Sequence, residues 1–95
     1  MSNIHTLANA ATGTGTQTAV EPVYRGNPTG VLFIDFDGST FTAAIESKAE
    51  SGDTYITHAT ITNTSDVVQE IVIAPFMRLN ISAFSGTTLT VKVSE

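Results

Sequence analysis

From Val31 onward, apolar side chains recur at every second position, and that period restricts this part of the chain to β-strands. Residues 31–37 put Leu32, Ile34 and Phe36 on one face and Val31, Phe33, Asp35 and Asp37 on the other. Residues 40–48 set Phe41, Ala43 and Ile45 against Thr42, Ala44, Glu46 and Lys48. The alternation returns over 55–63 and over 67–74, where Pro75 ends it by removing a backbone donor. Met77, Leu79, Ile81 and Ala83 make the inward face of a fifth strand, and Leu89, Val91 and Val93 that of a sixth. No window of helical length carries a 3.6-residue period.

Turn signals separate these runs. Asp37-Gly38 predicts a type I′ hairpin, because glycine accepts the positive φ such a turn needs. Glu50-Ser51-Gly52-Asp53 and Ser85-Gly86-Thr87 predict two further turns, and Asn63-Thr64-Ser65-Asp66 a break. About six short strands at regular spacing predict an all-β fold, a small antiparallel β-sandwich or jelly-roll-like barrel. Both faces of the strand at 31–37 are apolar at its start. That end is therefore expected to be covered on both sides.

The opening residues look different. Ala8-Asn9-Ala10-Ala11-Thr12-Gly13-Thr14-Gly15-Thr16-Gln17-Thr18-Ala19 is a ribbon of small and polar residues. Its scattered apolar groups bury too little surface to offset the entropy of ordering it. Two prolines and two glycines within residues 21–30 mark a hinge after it. The expected organisation is an extended N-terminal arm and hinge over 1–29, lying on a neighbouring molecule, and a β-domain over 30–95. Candidate interface residues are Ile4, Leu7, Val20 and Val23 of the arm, Tyr24 and Arg25 of the hinge, and Arg78 in the domain.

Composition narrows the function. Four basic residues against nine acidic ones leave a net charge of −5, and the bases are dispersed, which argues against nucleic-acid binding. The chain has no cysteine, so disulfides and thiolate metal sites are excluded. A domain of about 65 residues is marginal on its own, which points to oligomerisation. Val31-Leu32-Phe33-Ile34 is far too short to cross a bilayer, so no membrane partner is expected. The start, Met1-Ser2-Asn3-Ile4-His5, has no signal-peptide pattern, and synthesis in the cytoplasm is expected.

Few residues suggest chemistry. Asp35 and Asp37 share a strand face ahead of Gly38, as at the start of many calcium loops, but later ligands at loop spacing are missing. They read as a solvated strand end and a turn former, with no metal or cofactor. Glu50 and Asp53 make a second acidic turn. His58 among threonines reads as a hydrogen-bonded surface residue, and His5 lies in the arm with no expected partner. No G-x-S-x-G elbow or phosphate-cradling glycine loop occurs, so no catalytic residue is assigned and an enzyme is not expected. Arg78, beginning a strand whose other face is apolar, reads as an anchor for an interface or an inter-strand ion pair.

Three runs carry a family likeness: Asp37-Gly38-Ser39-Thr40-Phe41, then Ala74-Pro75-Phe76-Met77-Arg78-Leu79-Asn80-Ile81-Ser82, then Ser85-Gly86-Thr87-Thr88-Leu89-Thr90-Val91-Lys92-Val93. Over residues 30–95 they resemble small virion structural proteins of tailed bacteriophages. Those proteins follow an Asp-Gly hairpin with an aromatic-x-Arg strand and finish on a Gly-Thr-x-Leu-Thr-Val strand. The chain departs from them in lacking the tryptophan after the hairpin, a place Tyr55 or Phe41 could fill.

The resemblance implies a non-enzymatic head decoration (cement) protein on the capsid surface of a virion. Its partners would be the major capsid protein and itself, as a homo-oligomer expected to be a trimer. The alternatives are a head or tail fibre module binding a receptor or glycan through Tyr24 or Tyr55, and a head–tail junction or tail component.

Overall fold

A computed structural model describes residues 4–21, 29–63 and 67–95. Among them there is no helix, and six strands form one antiparallel sheet: β1 (Ile4–Ala11), β2 (Gly15–Thr16), β3 (Thr29–Lys48), β4 (Ile56–Asn63), β5 (Val67–Val72) and β6 (Phe76–Ser94). The order across the sheet is β1-β6-β3-β4, with β2 also pairing β6 and β5 also pairing β3.

The two long strands organise everything else. β3 has 20 residues and β6 has 19. At about 3.3 Å per residue either one, if straight, would span more than ~60 Å. The longest dimension of the molecule is 37 Å. Both strands therefore bend, and their shared register shows where, with irregularities between Asp37 and Gly38 and between Gly38 and Thr40.

On one side of the bend, residues 29–34 of β3 lie between β5 and the end of β6. On the other side, residues 41–48 lie between β4 and the start of β6. Along β6, β1 flanks residues 89–94, while β2 and an isolated bridge between Val20 and Met77 flank residues 77–81. A single buried cluster joins Leu32 and Ile34 from one half of β3 to Ala43 and Ile45 from the other. Both halves of the sheet thus contribute to the one core, and no helix among the described residues takes part in it.

The inward residues are those the period of two predicts. Leu32, Ile34, Phe36, Phe41, Ala43, Ile45, Met77, Leu79, Ile81, Leu89, Val91 and Val93 are all buried. Ala83 is exposed, because the register slips between Thr42 and Ala43 and leaves Ala83 opposite the outward-facing Thr42. Inward residues of β3 are even-numbered up to Phe36 and odd-numbered from Phe41, the phase change expected of strand irregularities.

Two predicted turns are not turns. Asp37-Gly38 and Ser85-Gly86-Thr87 lie inside continuous strands. Gly38 lacks the positive φ of a type I′ turn; among the described glycines only Gly15 has it. The glycines serve a close approach instead. Gly38 pairs directly with Gly86, and a Cβ on Gly38 would collide with Gly86 Cα and stand 2.7 Å from the Phe36 ring. Phe36 packs edge-on against Phe41 at 4.8 Å and Phe84 at 5.9 Å between ring centres, filling the inside of the bend. The predicted number of strands is right for the wrong reason: two predicted pairs fuse into β3 and β6, and β1 and β2 come from the expected arm.

That arm is the largest correction. Residues 4–11, 15–16 and Val20 pair with the chain's own β6. β1 pairs with β6 from Ile4 opposite Ser94 to Ala11 opposite Leu89, and Leu7 is 1% exposed in the core. Val20 exchanges backbone hydrogen bonds with Met77 at 2.8 and 3.0 Å. The boundary expected at Gly30 therefore does not divide the described chain. The segment has little apolar surface, as its composition says, but β6 and the core supply what it lacks. Tyr24 and Arg25, with Val23, lie outside the described residues.

Candidate interaction surface

Directly opposed residues of an antiparallel pair point to the same side of the sheet. Opposite the buried Leu32 and Ile34, the outward side of β3 carries Thr29, Val31, Phe33 and Asp35. Phe33 stands between Lys92 of β6 and Val68 of β5; Val31 stands between Ser94 and Glu70. Ile4 of β1 follows next to Ser94, and Val72 of β5 sits opposite Thr29. Large apolar groups on this side are open to solvent: Phe33 is 45% exposed, Val72 54%, Ile4 65% and Val68 66%. An apolar groove of about 450 Å³ lies among Ile4, Phe33, Lys92 and Ser94.

Isolated exposed aliphatics are ordinary, but a set drawn from β1, β3 and β5, with Lys92 and Ser94 of β6 among them, marks a surface made to meet protein. Toward the bend the same side turns acidic, with Asp35 and Asp37 exposed opposite Thr90 and Thr88. Among the described residues, no group of three or more histidine or carboxylate side chains gathers at metal-binding range.

The expected interface residues part company. Ile4 is on this surface. Leu7 is core, and Val20 is half-buried against the core. Arg78 is committed within its own chain: it stands opposite Glu46, and its Nε donates to Glu46 Oε1 at 2.6 Å. Its guanidinium also lies 4.0 Å from the centre of the Tyr55 ring, and Lys48 Nζ stands 4.6 Å from the same ring. Lys48 Nζ donates to the Ser51 carbonyl at 2.8 Å, tying this cluster to the Glu50–Asp53 turn, which forms as expected.

Both histidines have partners. His58 Nδ1 is 2.8 Å from Ser47 Oγ, in line with its reading as a hydrogen-bonded residue. His5, expected to have none, is 2.6 Å through Nε2 from Glu95 Oε2, because β1 runs beside the end of β6.

The outward residues Val31, Phe33, Val68 and Val72 were not singled out by sequence as interface residues, although the signal was there in the two-sided apolar start of β3. Compared with known proteins, the chain matches no family model, no curated protein and no solved structure.

Proposed function

We propose that this chain is a non-enzymatic structural subunit of a tailed-bacteriophage particle, a head decoration protein that binds the major capsid protein, and that its bent sheet is a small β-sandwich. The observation that carries the assembly role is the apolar outward side of β3 and β5, on a body otherwise sparing in charge. The phage setting rests on the likeness of residues 30–95 to small virion proteins. Docking by a loose N-terminal ribbon is not part of this reading, since residues 4–11, 15–16 and Val20 pair with β6.

An all-strand body with an apolar side open to protein contact suits a subunit that works by assembly, whether that side meets another copy or the shell. Its excess of acid limits sticking to nucleic acid. A glycan-binding fibre module is the weaker reading: Tyr55, one of its two candidate sugar platforms, is half-buried and already carries Arg78 and Lys48 on its ring.

The test is the number of copies in purified particles of the phage that encodes the chain. Decoration predicts hundreds of copies on the head, whereas a junction ring predicts a closed cycle of about six or twelve. Absence from the particle would overturn the proposal.

A further inference from the structure

The outward side of β3 has a charge arrangement that selects its occupant. Lys92 on β6 and Glu70 on β5 flank the central strand on opposite sides, one register pair apart, beside Phe33 and Val31 respectively. Both are exposed, and among the described residues neither is in an ion pair. A positive group on one flank and a negative group on the other, with apolar groups between, is a self-complementary pattern under two-fold symmetry.

We infer that this side binds a second copy of the same chain, face to face, about a two-fold axis running along β3. The inference rests on reading the surface as one made to be covered by protein. That axis lays Val31 and Phe33 of one copy on those of the other, and β6 of each copy over β5 of its partner. At the end nearer the bend it also turns the two Asp35 carboxylates toward each other, a like-charge contact that lowers the affinity. Lys92 then lies diagonally across from Glu70 of the second copy, within reach of a lysine side chain, and the contact is made twice. An axis across the strands would instead set β6 on β6 and β5 on β5, leaving both charges without opposite partners.

The size of the surface sets the strength. Four strands about 4.8 Å apart and six residues of about 3.3 Å each give roughly 400 Å² in projection per copy. That is about half of a standard interface, which places the free dimer among weak, transient contacts. Such a contact gains weight where copies are already held side by side on a common surface.

The experiment is sedimentation equilibrium of the full chain and four variants. The wild type is expected to show a monomer–dimer equilibrium. Phe33→Ser weakens it at least about tenfold, since Phe33 is the central aromatic anchor. Lys92→Glu and Glu70→Lys each weaken it about tenfold by setting like charges together, and the double reversal recovers most of the loss. Lys92 and Glu70 are exposed, so their variants keep the fold and carry the test if Phe33→Ser does not. A chain monomeric up to about 1 mM, a trimer, or an oligomer indifferent to these substitutions would overturn the inference. A chain that stays monomeric yet decorates heads in hundreds of copies would refute the dimer while leaving the decoration role standing.

Discussion

Two backbone positions show what the bends and bulges cost. Ala10 is held at a φ of 51°, the left-handed region that alanine seldom occupies, and its N–H is taken up by Thr90 Oγ1 at 3.1 Å. A non-glycine residue there costs about 1–2 kcal/mol, part of which glycine gives back through its more flexible unfolded chain. Ala10→Gly is therefore expected to stabilise the protein by about 0.5–1 kcal/mol, seen as a rise of a few degrees in Tm. Gly38 has the opposite sensitivity, because a Cβ there has no room beside Gly86 and the Phe36 ring. Gly38→Ala is expected to cost at least about 2 kcal/mol in denaturant unfolding, by overpacking the inside of the bend. An unchanged midpoint would mean that the two strands do not approach so closely.

At the scale of elements, β1 is fixed by one large side chain. Leu7→Ala is expected to destabilise the protein by about 3 kcal/mol in chemical denaturation, the usual cost of emptying a buried leucine site. A loss below about 0.5 kcal/mol would mean that β1 is not part of the core. The Glu46–Arg78 pair joins β3 to β6 from the outside, with side chains 16% and 31% exposed. A double-mutant cycle to alanine is expected to give a coupling of about 1 kcal/mol, screened only in part by solvent. These elements also show where the sequence is readable. Along β3 and β6 the period of two names nearly every buried residue, because strand geometry forces that alternation. In β1 the register slips between Thr6 and Ala8 and again between Ala8 and Ala11, so neighbouring Leu7 and Ala8 both face inward and the period disappears. Asp37-Gly38 misleads for a related reason: glycine answers equally to a need for positive φ and to a need for space, and local sequence does not say which. The outward surface was half legible. Val31 and Phe33 announce that β3 needs cover on both sides, but their neighbours Val68, Val72 and Ile4 come from distant segments and meet only through sheet pairing.

The described residues form one sheet whose strands bend together, so distant parts of the chain must meet before much surface is buried. Sheets built from pairings as remote as Ile4 with Ser94 fold slowly, and refolding in milliseconds to seconds is expected in stopped-flow tyrosine fluorescence. The same architecture decides what remains for partners. With residues 4–21 used internally, the apolar side of β3 and β5 is left to make contacts outside the chain. The measurement that bears most directly on this is amide hydrogen exchange along the full-length protein. The account predicts that amides of β1 bonded to β6 exchange orders of magnitude more slowly than in a free chain, on the same scale as those of β3. Exchange at free-chain rates throughout residues 4–21, beside a protected β3 and β6, would contradict it.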